Sequence, residues 1–311
     1  MKTLYVSDMD GTLLNSESVI PPHAIEALNR AIGCGALFTV ATARTPATVA
    51  NLLSNVNINI PAVVMTGATT WNPADNSYHN TCHFSPATAQ EILKVYLKHR
   101  LPTFLYTLRD RMIYIYHLGP LSVLEKDFIR NRLYSPYKRF LLTPAQQESM
   151  GWLGDDYSQE FIDKTWKESS MHIPKEINDG VLFFAMQPES IASKAKEDIF
   201  RIPDINPMYY FDTVYPGNVM IEAFPKDASK ANAVRNLANK LGADRIVAFG
   251  DNRNDLPLLE IADLAVAVDN AIPEVKEKAD VIIGNCNEGA VADFILEDYI
   301  AHSSSAQMLG L

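Results

Sequence analysis

Four aspartates, a lysine and a threonine stand where they could share one site. Asp8 and Asp10 lie in Ser7-Asp8-Met9-Asp10-Gly11-Thr12, and Asp251 and Asp255 in Gly250-Asp251-Asn252-Arg253-Asn254-Asp255. Thr42 lies in Ala41-Thr42-Ala43-Arg44, and Lys230 in Asp227-Ala228-Ser229-Lys230. Two like charges about 4 Å apart repel by roughly 4 kcal/mol at an effective dielectric near 20. Four gathered carboxylates would therefore need a compensating cation or bound protons. Oxygen-only ligands around an open site select a hard cation, and Mg²⁺ is the usual choice when phosphate shares the coordination. Asp8 and Asp10 are two apart, so on an extended segment they face one side. One can attack phosphorus while the other serves the leaving oxygen as general acid/base, its proton affinity raised by like-charge crowding. Gly11 would let the chain turn tightly and bring N–H groups to a phosphate. Loop-end aspartates also cap helices; for Asp255 alone both readings stay open, whereas Asp8 and Asp10 followed by Gly11-Thr12 argue for chemistry. Ser229 reads as a helix N-cap, which puts Lys230 in a first helical turn. The dipole disfavours a lysine there unless it reaches phosphate or a carboxylate. Thr42 gains meaning only from its company.

Positioning these groups falls to short apolar runs at both ends of the chain: Leu4 to Val6, Ala36 to Val40, Ala62 to Met65, Ile246 to Phe249, Leu264 to Val268 and Val281 to Ile283. Such runs read as strands of a parallel sheet, buried on both faces. Helical patterns over residues 22–33 and 229–241 separate them, so the fold class is α/β, a doubly wound (Rossmann-like) parallel sheet. Three of the strands end in the polar clusters above, and ligands of open parallel sheets bind beyond the carboxyl ends of the strands. From about Phe84 to Asp212 the pattern changes. A helix over 86–99 precedes two strand-like runs, Thr103 to Leu108 and Met112 to Tyr116, around the turn Arg109-Asp110-Arg111. A strand over 180–186, a helix over 189–200 and a strand over 207–211 follow. This reads as an inserted α+β domain, giving core residues 1–83, an insert over 84–213, and core residues 214–311. Residues 136–178 are poorly periodic and receive no assignment. The small, polar tail after Ala301 is expected to fray.

The bulk of the chain sets limits. Its 311 residues suffice for one large or two ordinary domains, and 47% hydrophobic with 21% charged residues is ordinary globular composition. A net charge of -10 disfavours nucleic acid and anionic membrane as partners, so an anionic substrate needs a local binding device. Cys34, Cys82 and Cys286 are scattered and show no zinc-ligand spacing, which fits a reducing compartment. With no signal-peptide pattern and no membrane-spanning run, the expectation is a cytoplasmic protein, either a monomer or a homodimer.

The motifs DMDGTLLN (Asp8 to Asn15), VATAR (Val40 to Arg44), KDASK (ending at Lys230) and GDNRND (Gly250 to Asp255) together resemble the haloacid dehalogenase superfamily, in its Cof-type branch with a C2 cap. The stretch AVAVDNAIPEVKEKAD, Ala265 to Asp280, is similar to the segment that follows in that branch. The resemblance implies a phosphatase of small phosphorylated metabolites, such as a sugar phosphate or a phosphorylated cofactor. By resemblance Asp8 is the nucleophile, forming an aspartyl-phosphate, and Asp10 the acid/base. Thr42 and Lys230 bind the phosphoryl group. Mg²⁺ is held by the Asp8 side chain, the Asp10 carbonyl and Asp251. Asp255 and Asn254 support the site, with Gly11, Thr12 and Arg44 around it. The inserted domain closes over the site and selects the substrate. Two positions depart from the branch: Ala43 replaces a usual glycine and Thr66 a common asparagine. Both leave the phosphate-side contacts open. His99, His117 and His172 read as surface or partly packed residues of the insert, and Arg109 and Arg111 as a solvated turn. A phosphomutase of the same superfamily and a non-catalytic phosphometabolite sensor are the alternatives. The first would need a densely basic insert, and the second the loss of Asp8, Asp10 or Lys230.

Overall fold

A computed structural model describes residues 1–132, 135–212 and 215–302. The chain divides into two compact units, residues 1–80 with 228–311, and residues 81–227. The first is built on five parallel strands in the order Val281–Ile283, Leu264–Val268, Arg245–Gly250, Thr3–Ser7, Leu37–Val40. Thr3–Ser7 is buried along its whole length, as its unbroken apolar run leads one to expect. Its register pairs Ser7 with Phe249 on one side and Val40 on the other, which brings three strand ends level. The run Ala62–Val64 departs from the expected parallel order. It pairs antiparallel with Thr69–Asn72 and meets the segment after Leu37–Val40 in an isolated parallel bridge at Ala41 and Val63. Helix Pro22–Gly33 lies beside the last helix, Ala290–His302, where the Tyr299 hydroxyl donates to the Cys34 carbonyl at 2.6 Å. The tail expected to fray lies, from residue 303, outside the described residues.

The second unit is a six-stranded sheet in the order Ile205–Phe211, Asn218–Pro225, Gly180–Pro188, Thr103–Arg109, Met112–Leu118, Lys138–Leu141. Every pair is antiparallel except the last. Strand alternation splits two adjacent phenylalanines between the faces. Phe183 stacks on Tyr96 of helix Pro86–His99 at 5.8 Å, while Phe184 packs with Phe104 and with Phe128 of helix Val123–Arg130. This unit extends to Asp227, past the boundary at 213 read from the sequence, because Asn218–Pro225 pairs inside its sheet. The unassigned stretch after residue 136 holds the strand Lys138–Leu141 and two helices, Pro144–Ser149 and Gln159–His172. His117 is neither at the surface nor half-packed. It is buried, 3.2 Å from Glu125, with Gln146 and Gln187 completing the network around the pair.

Candidate active site

The carboxyl ends of the first unit's strands carry the site. Asp8 follows Thr3–Ser7, and its amide continues the ladder by donating to the Phe249 carbonyl at 3.0 Å. Thr42 follows the next strand, where Ala41 donates to the Ser7 carbonyl at 2.8 Å. Asp251 and Asp255 follow the strand on the other side, and Asp255 ends a short 3₁₀ turn, Arg253–Asp255. Lys230 opens helix Lys230–Leu241, whose N-cap is Ser229.

Lys230 holds the cluster together. Its Nζ donates to Asp8 Oδ1 and to Asp255 Oδ1, both at 2.7 Å, and all three side chains are buried. The other oxygen of Asp255 accepts the amides of Asp251 and Asn252 at 3.1 and 3.2 Å. Asp255 is thus spent as a brace on both oxygens. Asp251 Oδ1 accepts from the Thr12 hydroxyl at 3.0 Å. Among the described residues, Asp8 Oδ2 and Asp251 Oδ2 have no hydrogen-bond partner. Gly11 makes this approach possible. It has φ +75°, and a Cβ on it would stand 2.5 Å from Asp251 Oδ2.

One oxygen from each of Asp8, Asp251 and Asp255 falls within 4.8 Å of the others. Burial, more than anything else, pushes Asp8 up to about 7 against the pull of Lys230, and its acidic neighbours add to the rise. Burial, then Asp255, pushes Asp251 up to about 6. Burial works against the charge of Lys230, but Asp8 and Asp255 outweigh it and hold the ammonium above its usual range. Three carboxylates around one cation leave excess negative charge, and two free hard oxygens point to what would relieve it. The donor set fits Mg²⁺.

The remaining expected residues lie elsewhere. Asp10 is outside the cluster and half exposed, because Arg44 grips both of its oxygens at 2.7 and 2.5 Å. Like-charge crowding therefore falls on Asp8 and Asp251. Asn254 is exposed and is not among the gathered residues. Thr42 is buried, and its hydroxyl accepts the Arg44 amide at 3.1 Å. Sequence reasoning missed Asn270. Its Nδ2 donates to the Gly11 carbonyl at 2.7 Å and its Oδ1 accepts the Cys286 amide at 2.9 Å, so it fixes the turn that admits Asp251. The same strand-end rule would have found it, since Asn270 follows Leu264–Val268.

The sequence profile of the haloacid dehalogenase-like hydrolases matches residues 5–295, and the chain belongs to that family. It is 27% identical, over 93% of its length and 95% of the relative's, to the 5-amino-6-(5-phospho-D-ribitylamino)uracil phosphatase YwtE of Bacillus subtilis (strain 168). It is 22% identical, over 94% and 97%, to the pyridoxal phosphate phosphatase YbhA of Escherichia coli (strain K12). Among solved structures it matches a haloacid dehalogenase-like hydrolase from Bacteroides thetaiotaomicron with a TM-score of 0.69 at 20% identity, covering 96% of this chain and all of that one. A Thermotoga maritima protein matches with a TM-score of 0.67 at 21% identity, covering 96% and 97%. The chain is a phosphoric monoester hydrolase, and these two relatives are named as phosphatases of phosphorylated small molecules. Among the described residues, no helix is long and apolar enough to cross a membrane.

Proposed function

We propose that this enzyme is a Mg²⁺-dependent phosphatase of small metabolites working through an aspartyl-phosphate on Asp8. The observation that carries this reading is the Asp8 carboxylate. It is buried at a strand end, tied through one oxygen to Lys230, and leaves the other without a partner. Such an oxygen is held in place by its partner and left open to a substrate, as a nucleophile should be. Attack by Oδ2 on phosphorus breaks the ester bond, and Asp10 gives the leaving oxygen its proton. Asp10 then takes a proton from water as water attacks the acyl phosphate, which restores Asp8 and releases inorganic phosphate. Arg44 orients Asp10 for both transfers. Thr42 and Lys230 bind the phosphoryl oxygens, and Asp255 holds Lys230 in place. Asp8, Asp251 and the Asp10 carbonyl would hold the metal, which when bound offsets the carboxylate charge and polarises the phosphoryl group. The inserted unit selects the substrate. Two full-length relatives are named for a phosphorylated cofactor and a phosphorylated ribityl compound. We extend to this chain the class spanning both, a phosphorylated cofactor, cofactor precursor or sugar phosphate. The free cysteines Cys34, Cys82 and Cys286 support a cytoplasmic setting.

The test is phosphate release from a panel of such esters with Mg²⁺. Wild type should release phosphate, EDTA should stop it, and Asp8→Asn should lower turnover by roughly a thousandfold or more. Full activity in Asp8→Asn, or activity untouched by EDTA, overturns the mechanism.

A further inference from the structure

The six-stranded sheet of the second unit has two free edges, and they are built in opposite ways. One is Lys138–Leu141, four residues long with Lys138 and Arg139 in it. Shortness and charge are ordinary means of keeping a sheet edge from pairing with another chain. The other is Ile205–Phe211, seven residues with no charge among them. None of the seven is fully buried, and Tyr210 and Phe211 are 44% and 57% exposed.

The ladder to Asn218–Pro225 shows which way this strand's backbone turns. The Asp212 amide donates to the Asn218 carbonyl at 2.9 Å, and the Lys226 amide to the Asp204 carbonyl at 3.3 Å. Hydrogen-bonded pairs recur at every second residue of an antiparallel ladder, so the even-numbered positions face inward. Ile205, Pro207, Tyr209 and Phe211 therefore present their backbone groups to the free edge. Among the described residues, nothing hydrogen-bonds to the N–H or C=O of Tyr209 or Phe211. Pro207 agrees with this direction, since a proline at an outward position takes no bond from the sheet. It also confines any new ladder to the residues after it.

That stretch is its own complement. Tyr209 and Phe211 share one face by strand alternation, and Tyr209 packs there against the unit's hydrophobic cluster. A two-fold axis at Tyr210 places each Tyr209 opposite a Phe211, so the two trade N–H and C=O and form an aromatic cross-strand pair on either side of the axis. Although the chain carries a net charge of -10, an uncharged strand meets its copy without like-charge repulsion. We propose that Ile205–Phe211 is a dimerisation edge, where Tyr209–Phe211 of two copies pair antiparallel and join their six-stranded sheets into one. Such a contact is isologous and closes on itself, and the short, charged edge at Lys138–Leu141 keeps the joined sheet from growing. With so few residues paired, the dimer is weak and concentration-dependent.

The experiment is sedimentation velocity of the full-length protein over about a hundredfold range of concentration, with amide hydrogen exchange at both ends of the range. Wild type should pass from monomer to dimer, and the Tyr209 and Phe211 amides should gain protection only in the dimer. Phe211→Pro removes an outward N–H, and Phe211→Lys puts a charge on the edge. Each should raise the dissociation constant at least about tenfold, because symmetry counts every loss twice. Phe211→Tyr keeps the aromatic pair and stays within about twofold. Phe211→Lys alters an exposed side chain, so its Tm should stay near that of wild type, and weaker association in it is not unfolding. A wild type that remains monomeric throughout overturns the proposal and leaves the edge to a strand from a different protein. A dimer whose Tyr209 and Phe211 amides exchange as fast as in the monomer also overturns it, by placing the contact elsewhere. So does a dimer that Phe211→Pro and Phe211→Lys leave unchanged.

Discussion

Lys230 is bonded to two buried carboxylates at once, and this sets what its loss does. Lys230→Met leaves Asp8 and Asp255 buried without a counter-ion, which costs about 3–5 kcal/mol of stability. The urea midpoint should fall accordingly, and phosphate release should be lost with it. A midpoint equal to wild type would show that the carboxylates do not depend on the lysine. Gly11 tests the metal side. Gly11→Ala places a methyl group against Asp251 Oδ2 and forces alanine to a positive φ. We expect about 1–2 kcal/mol of destabilisation and at least a tenfold weaker response to Mg²⁺, read from the Mg²⁺ dependence of turnover. Unchanged Mg²⁺ dependence would move the metal away from Asp251. At this scale the sequence was legible in placement: Asp8, Asp251 and Asp255 stand just beyond strand ends and Lys230 in a first helical turn, as their neighbours in the sequence indicate. The pairing of Asp10 with Arg44 was not legible. Both sit in the right loops, but which partner a loop carboxylate turns to depends on side-chain directions that spacing does not encode.

Elements were readable in proportion to how local their causes are. The inner parallel strands announce themselves as unbroken apolar runs because both faces are buried, whereas the edge run Val281–Ile283 is apolar yet leaves Ile282 52% exposed. The hairpin after Thr103 was equally plain, since Asp110 and Arg111 take positive φ between two strand-like runs. The stretch after residue 136 was opaque for a physical reason. Its strand and first helix are short, and its helices bury polar groups such as Gln146, Thr165 and Ser169, which breaks the apolar period. What starts these helices is side-chain capping. Ser122 shows its worth: its hydroxyl accepts the Glu125 amide at 3.2 Å, while Glu125 Oε2 accepts the Ser122 amide at 2.8 Å. Ser122→Ala should lower stability by about 1–2 kcal/mol, because it removes the cap and one hydrogen bond to the fully buried Glu125. A Tm within error of wild type would mean that the box is ornamental.

For the whole molecule, two buried charges in the second unit shape stability against pH. Burial pushes Glu222 from 4.5 up to about 7, so its contribution is complete below 4.5 and is lost as pH rises through about 7. Burial, helped by Arg132, lowers Lys138 from 10.5 to about 7, so its contribution is complete above 10.5 and is lost as pH falls through about 7. Together they place a dip in stability near neutrality, each limb worth about 1–3 kcal/mol. Denaturant titrations across pH should show Glu222→Gln flattening the acid limb and Lys138→Met the alkaline one. Parallel curves for variants and wild type would show that neither group is penalised by folding.

The chain order of the first unit carries a consequence for how the protein is made. The ion pair between Asp8 and Lys230 spans 222 positions, and the strand Thr3–Ser7 finds one of its two sheet neighbours only at Arg245–Gly250. Residues 81–227, by contrast, form their unit from one uninterrupted stretch. As the ribosome extends the chain, the inserted unit has all of its residues long before Thr3–Ser7 has both neighbours. A ribosome stalled near Asp227 would hold a complete insert beside an unpaired strand edge, the kind of surface that recruits chaperones or aggregates. The site can exist only after synthesis has passed Asp255, so a truncated chain is inactive by construction, and the enzyme switches on late in its own translation.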